Sequence, residues 1–570
     1  MATQLRALLT DIYGEGGAPE LAEKIEARLA RVTRPTVRES RWAASDVVLI
    51  TYADAFRNEG EPALQSLRRC LEKWLPGRIN QVHLLPFFPY TSDDGFAVSD
   101  YRAVDPPHGT WADVERLSQD CELVFDLVIN HASSAHPHFR AFLEGRVPEN
   151  RYFLTAPHGT DVSQVTRPRA APLLQEYETA EGPRHVWCTF SRDQVDWDFG
   201  NPAVLEEFID IFITYIEHGA TWVRLDAIAY LWKQIGTDCV HRPQTHAVVK
   251  LLRWVGEAIS SDLKILTETN VPLAENLSYF GDGDEAHIVY NFSLPPLLVH
   301  ALVTGQGTHL SAWCRGLPDL PEGCTYLNFT ASHDGIGLRP AEGILDDVEL
   351  GALVSCIQRF GGRLTQRRRP DGSLSPYEAN IALFDAFKGT VDGEDDWQVE
   401  RFLVSQAIML SMAGVPALYY NSLLAAPNHL AGVEETGRNR TINRKKWTMA
   451  EVELRFADPA GSPRRVLNGL DTLLAVRQEQ PAFHPASAQR CHAIDDRLFV
   501  LQRESDGGEQ TILCLFNLQK DSVQIPRAAL GLAPEGPTLP LFVQGTFEAD
   551  AEHLTLAPYA IQWLDITPKP

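Results

Sequence analysis

Residues 221–230, TWVRLDAIAY, decide the fold. The first six form a run too short for a helix, rich in β-branched and aromatic side chains, and continuous in its apolar character except at Arg224 and Asp226. A strand buried on both faces reads this way, and such strands belong to parallel sheets whose faces are covered by helices. Seven similar runs lie at 46–51, 81–87, 122–129, 264–268, 287–292, 324–329 and 415–420, with helical stretches between them. Eight strands alternating with helices predict an α/β fold, a (β/α)8 TIM barrel.

Two intervals are too long for one helix and its loops. Residues 132–200, polar and proline-rich, predict a subdomain inserted after strand three, and residues 336–400, with FGGRLTQRRRPDGSLSPYE at 360–378, predict a second insertion after strand seven. Both follow the strand C-termini, where barrels build their active sites. The expected division is then a helical extension at 1–42, barrel segments at 43–131, 201–335 and 401–484 around the two insertions, and a C-terminal antiparallel β-domain at 485–570. That last domain shows short alternating strands such as RLFVLQRE (497–504) and QTILCLFNL (510–518).

Bulk properties exclude several function classes. With 570 residues and 44% hydrophobic content the chain can bury a large core, so global disorder is excluded. A net charge of −24 argues against nucleic acid as a partner, because that binding displaces counterions with a basic surface. The nine cysteines form no CxxC pair, which indicates neither a zinc site nor a disulfide framework. MATQLRALLTDIYGEGG at the start carries charges inside its apolar stretch, unlike a secretion signal, so a cytoplasmic location is expected. The stretch 402–419 is broken by Ser405, Gln406, Ser411, Gly414 and Pro416 and reads as a buried helix running into a strand, with no membrane partner.

The polar residues that end the strands carry the chemistry. Strand three ends in Asp126, Asn130 and His131, strand four in Arg224 and Asp226, strand five in Glu268, and strand seven leads to His333 and Asp334. Arg224 and Asp226 are two apart, so both point to one face of their strand, where the guanidinium favours an ionised Asp226. An ionised carboxylate facing a second, protonated one about 5–5.5 Å away is the arrangement of a retaining glycosidase. Asp126 reads as a structural partner of Arg224. Any one of these acids alone could be a salt-bridge partner or a cap; their joint occurrence at successive strand ends points to catalysis.

In order and spacing, DLVINH (126–131), VRLDAIAY (223–230), LTETN (266–270) and FTASHDGIG (329–337) resemble the four motifs of the α-amylase superfamily, glycoside hydrolase family thirteen, over residues 46 to 450. The resemblance implies Asp226 as nucleophile, Glu268 as acid/base and Asp334 as transition-state stabiliser, with Arg224, His131 and His333 around the glucosyl site. Within the superfamily, DDGF (93–96), HDGIG (333–337) and Ala-Tyr after RLDAI look like the sucrose phosphorylase branch. That implies Asp93 on a glucose hydroxyl, Phe190 of WCTFS as an apolar platform, and Arg440 of GRNRTINR clasping the ring together with Asp93. Tyr230 and Tyr377 of SPYEAN match positions that orient phosphate. The residue after that tyrosine is commonly glutamine in the branch, whereas here it is Glu378, a charge that would repel phosphate unless an arginine pairs with it.

The resemblance implies a hexosyltransferase that passes glucosyl to phosphate and yields α-glucose 1-phosphate. Its expected partners are a small-molecule glucoside and inorganic phosphate, with no cofactor and no metal; a homodimer is left open. Asn130 nonetheless sits where calcium-binding amylases supply a ligand. Phosphate carries about −1.5 to −2 and needs donors. Candidate clusters are Arg363, Arg367, Arg368 and Arg369, the 367–369 run reading more as a solvated face, and Arg438, Arg440, Arg444, Lys445 and Lys446. Enzymes of this branch act on sucrose, sucrose 6'-phosphate, glucosylglycerol or glucosylglycerate; TETNVPLAENLSYFG (267–281) and PDGSLSPYEANIALFDA (370–386) look most like those acting on glucosylglycerate. The competing readings are an α-glucosidase or transglucosidase, and a non-catalytic amylase-like scaffold, which usually lacks part of the carboxylate trio.

Overall fold

The computed structural model describes residues 2–32, 41–169, 171–368, 374–533 and 538–568. All eight expected barrel strands are there: Val48–Thr51, Gln81–Leu84, Glu122–Leu127, Ala220–Leu225, Lys264–Thr267, Ile288–Tyr290, Thr325–Phe329 and Val415–Tyr419, numbered one to eight below. They close in the spatial order one-eight-seven-six-five-four-three-two, parallel throughout. Several end earlier than their apolar runs. Leu85, Phe87, Val128 and Ile129 are fully buried but lie beyond the ladder, where the chain turns over the barrel mouth. Burial therefore marks the core and not the strand end.

The helix Pro202–Glu217 shows how sequence sets the alternation. Asn201 caps it by accepting the Ala203 N–H at 3.1 Å, Pro202 occupies the first turn, and Val204, Leu205, Phe208, Phe212 and Tyr215 form its buried stripe. Gly219 then turns the chain into strand four at φ +98°, and a Cβ there would lie 3.0 Å from the Ser118 side chain.

Both insertions fold on the same side of the barrel. After strand three, His131–Ser133 pairs antiparallel with Gln194–Asp196, and Thr155–Ala156, Gly182–Trp187 and Leu174–Thr179 form a three-stranded sheet. Between strands seven and eight, Leu374–Asn380 is sandwiched between Ile336–Gly337 and Arg363–Arg368. Arg369 lies outside the described residues.

The helical extension consists of Ala2–Tyr13 and Ala18–Leu29, which pack on the barrel helices Pro202–Glu217 and Pro243–Ile259 through buried Leu5, Leu9, Leu21 and Ile25. Tyr13 Oη donates to the Phe199 carbonyl at 2.8 Å, and Arg28 pairs with Asp210 and Glu217 at 2.6 and 2.7 Å. At the other end the C-terminal domain forms a five-stranded antiparallel sheet, Ala488–His492, Leu498–Glu504, Thr511–Asn517, Ile561–Asp565 and Leu539–Gln544 in spatial order, beside a three-stranded one. Arg503, fully buried, donates to the carbonyls of Ser411 at 2.7 Å and His484 at 2.8 Å and so ties this domain to the barrel. All nine cysteines are free thiols, and no helix among the described residues is long and apolar enough to cross a membrane.

Candidate active site

Asp226 follows strand four directly, its N–H held by the Leu127 carbonyl of strand three at 3.1 Å. The next residue, Ala227, takes a left-handed backbone conformation at φ +50°, unfavourable for a side chain with a Cβ. That turn aims the Ala227 N–H at Glu268 Oε2, 3.0 Å away, and locks the acid after strand five to the turn that carries Asp226. Beneath them Arg224 is 1% exposed; its Nη1 reaches Asp126 Oδ1 and lies 2.9 Å from Asp226 Oδ1, while Nη2 is 4.0 Å from Glu268 Oε2. Asp126 also accepts a 2.7 Å bond from His83 and is held below the ordinary carboxylate range against the cost of burial, chiefly by Arg224 and then His83. It is the structural partner expected.

The electrostatics of Asp226 depart from expectation. Burial raises it well above the usual carboxylate range, and the charges of Glu268, Asp126 and Asp334 add to that rise, outweighing the attraction of Arg224. Glu268 is raised too, first by burial and then by Asp334. One guanidinium shared among several carboxylates cannot keep both ionised, so Asp226 and Glu268 act as a coupled pair that retains a proton. Arg224 lies nearer Asp226, at 2.9 Å against 4.0 Å from Glu268, so its attraction for a carboxylate is the stronger at Asp226. Asp334 is the opposite case, held low despite burial by Arg440, with Nη1 2.5 Å from Oδ1, and by His333 and Arg444.

Around these acids the other expected residues line one pocket: Asp93, His131, Phe190, His333, Arg440, Tyr230 and Tyr377. His333 stacks on Phe96 with ring centroids 4.8 Å apart and planes 6° from parallel, and burial drives it well below its usual pKa. His131 is lowered by burial as well; its Nε2 contacts the Phe96 carbonyl at 3.0 Å and Gln194 at 3.2 Å. Phe190 packs edge-on to Tyr230, 5.7 Å between centroids. Neutral histidines, an aromatic wall and fixed carboxylates suit a sugar ring.

Asp93 and Arg440, expected to clasp the ring together, both line the pocket without contacting each other. Arg440 bridges Asp334 and Glu378, donating to the Glu378 carboxylate at 3.1 to 3.3 Å. Arg444 reaches Asp93 at 3.5 Å and Asp94 at 2.8 Å, and its Nε donates to the His333 carbonyl at 2.7 Å. The two arginines sit four apart in one loop, with Asn439–Asn443 coiled as a 3-10 helix, and that coil determines which side chain faces the aspartates. The same contacts answer the charge of Glu378, which is buried, paired with Arg440 and capped by the Gly335 N–H.

Several members of the candidate phosphate clusters are engaged by acids of the protein itself. Arg367 pairs with Glu342 at 2.6 Å, Lys445 with Glu451 at 3.1 Å and Lys446 with Asp54 at 2.8 Å, and Arg363 and Arg438 are exposed. Arg169, not singled out in the sequence, lines the pocket with Tyr230 and Tyr377 and has no hydrogen-bond or ion-pair partner among the described residues. Its signal was weak: one of two arginines in TRPRAAP (166–172), within an insertion of irregular structure. Asn270 lines the same wall, with its Oδ1 buried and unpartnered among the described residues. Two facing carboxyls that share a guanidinium, a third clamped carboxylate and an available guanidinium can together support glycosyl transfer to an anion.

The model of the α-amylase catalytic domain matches residues 78–312. A glucosylglycerate phosphorylase of Spirochaeta thermophila is 42% identical, covering 98% of both chains, and one of Allomeiothermus silvanus is 45% identical over 89% of this chain and 91% of that one. A sucrose phosphorylase of Bifidobacterium adolescentis is 30% identical over 77% of this chain and 86% of its own length. The crystal structure of sucrose 6F-phosphate phosphorylase from Thermoanaerobacter thermosaccharolyticum superposes with a TM-score of 0.73 at 24% identity, covering 84% of this chain and 96% of that one, and shows the same fold. With its barrel, its strand-end acids and these relatives in agreement, the chain belongs to the α-amylase family, in its branch of glycoside phosphorylases.

Proposed function

We propose that the chain is a retaining phosphorylase that converts 2-O-α-glucosylglycerate and inorganic phosphate into α-glucose 1-phosphate and glycerate. The observation that carries this reading is Arg169, a guanidinium without a carboxylate partner among the described residues, at the wall that also holds Tyr230 and Tyr377. In a protein of net charge −24, such an arginine beside the catalytic acids suits an anionic reactant, and both phosphate and the glycerate carboxylate are anions.

Glu268 gives its proton to the glycosidic oxygen while Asp226 attacks C1, and the C1–O bond breaks as a β-glucosyl ester forms on Asp226. Asp334 stabilises the cationic ring through its hydroxyls, Arg440 and Asp93, the latter backed by Arg444, hold the far side of the sugar, and Phe190 supplies the platform. Glycerate leaves, phosphate enters beside Arg169, Tyr230 and Tyr377, and its oxygen attacks C1 from the opposite face, releasing Asp226 and restoring the α-configuration. Phosphate is already largely ionised and needs little help from a base; the proton it still carries passes to Glu268 and restores the acid. It is a co-substrate, and the reading invokes no resident cofactor; the free thiols suit a cytoplasmic setting.

The test is release of α-glucose 1-phosphate from glucosylglycerate, sucrose, sucrose 6'-phosphate and glucosylglycerol in parallel, with and without phosphate. Phosphate-dependent release with glucosylglycerate as the preferred donor is expected. Preference for another donor would reassign the acceptor, and free glucose formed independently of phosphate would make the enzyme a hydrolase.

A further inference from the structure

Seven residues beyond Asp226, the side chain of Lys233 runs back into the seam between the barrel and the first insertion. Its Nζ donates to Asn130 Oδ1 at 2.7 Å and lies 2.7 Å from Asp196 Oδ2. All three groups are out of water: the Lys233 side chain is 3% exposed, and Asn130 and Asp196 are fully buried. Asp196 is further held by the Thr189 N–H at 3.0 Å, Thr189 Oγ1 at 2.5 Å and Asn130 Nδ2 at 3.1 Å.

This is where the family resemblance implied a calcium ligand at Asn130, and the residues do not fit that ion. Calcium takes about six to eight oxygens at about 2.3–2.6 Å. Here Asn130 Oδ1 is engaged by an ammonium and the Asp196 carboxylate by N–H and O–H donors, and among the described residues no group of three histidine, cysteine or acidic side chains could hold a metal. A single ammonium against a single carboxylate also leaves the buried seam neutral, so a divalent ion would add uncompensated charge.

The three anchors lead directly to the pocket. Asn130 precedes His131, and its Nδ2 is 3.3 Å from His131 Nδ1. Asp196 ends the strand that begins with Gln194, and through Thr189 it fixes the residue before Phe190. Lys233 itself lies three residues after Tyr230. We propose that Lys233 is a tethered cation standing in for a metal ion at this junction, and that it is a positioning residue holding His131, Phe190 and Tyr230 in register around the glucosyl subsite. The inference uses the glucosyl half of the proposed reaction and is indifferent to which acceptor leaves.

The experiment compares the full-length wild type with Lys233→Ala and Lys233→Met, assayed for phosphorolysis with and without ethylammonium or tetramethylammonium, and for α-glucose 1-phosphate binding by tryptophan fluorescence. Both variants are expected to fold by circular dichroism, to lose about 100-fold in kcat/KM, as misplacement of reacting groups does, and to bind α-glucose 1-phosphate more weakly. Ethylammonium restores part of the activity of Lys233→Ala; tetramethylammonium, which has no N–H, does not, and neither helps Lys233→Met, whose side chain fills the channel. The wild type keeps its activity and melting temperature after chelation and gains nothing from added calcium. Full activity in Lys233→Met, failure of every alkylammonium to rescue Lys233→Ala, or wild-type activity lost on chelation and restored by calcium would each overturn the assignment. If neither variant folds, the chelation arm decides. Wild-type turnover in the same assay separates failure of this inference from failure of the functional reading.

Discussion

Asp226 and Glu268 share one buried guanidinium with Asp126, and that arrangement makes their roles testable separately. Asp226→Ala should abolish glucosyl transfer from every donor while the fold, followed by circular dichroism, stays intact; substantial residual transfer would remove the nucleophile assignment. Arg444→Ala should lower kcat/KM by about 100-fold, because it releases Asp93, Asp94 and the His333 backbone together and misplaces the sugar. Steady-state kinetics on the preferred donor checks this. Glu268 gives a pH prediction. Its carboxyl is raised in the folded state, so the native protein holds that proton more tightly than the unfolded chain does. The resulting stabilisation is complete below the unfolded pKa and is lost as pH rises through the folded value. Glu268→Gln removes that titration, so thermal unfolding should show the variant gaining on the wild type as pH rises above about 4.5, by about 1.4 kcal/mol per pH unit until the folded pKa is passed. A constant difference at every pH would mean that Glu268 is not raised.

Among the elements, the barrel strands were legible because parallel strands buried on both faces leave unbroken apolar runs, and their terminal acids were legible because a charge that ends such a run needs a reason. The loops were less so. GRNRTINR holds three arginines, and only the path of the 3-10 coil shows that Arg444, and not Arg440, turns toward Asp93. Arg169 shares its wall with Tyr230 and Tyr377, and Lys233 meets Asn130 and Asp196, neighbours remote in sequence that no local spacing reveals. Glu378 was read as a problem because its solution, Arg440, lies 62 residues away. The helical extension yields its own prediction. Helices Ala2–Tyr13 and Ala18–Leu29 bury Leu5, Leu9, Leu21 and Ile25 against the barrel, and deleting them would bare an apolar face. Removal of residues 1–32 should lower the melting temperature and the soluble yield, measured by calorimetry and gel filtration; an unchanged melting temperature and elution profile would show that these helices are dispensable.

For the molecule as a whole, the barrel and the C-terminal domain meet at a seam pinned by a buried cation. Arg503→Ala would strand the carbonyls of Ser411 and His484 that it now satisfies, costing about 2–4 kcal/mol. Thermal unfolding should register that loss, while kinetic constants at room temperature stay close to wild type because the seam lies away from the strand C-termini. The net charge of −24 sets a second whole-molecule property when taken together with Arg169. An approaching anion first meets the repulsive far field of the surface carboxylates, and only inside the pocket does it feel a guanidinium. Screening acts on distance: at 0.1 M salt the Debye length is about 10 Å, which suppresses the far field before it reaches a contact of hydrogen-bond length. Moderate chloride should therefore speed phosphate capture by about 2- to 5-fold in kcat/KM instead of slowing it, with a decline only at higher salt, when the added anion begins to compete for Arg169 itself.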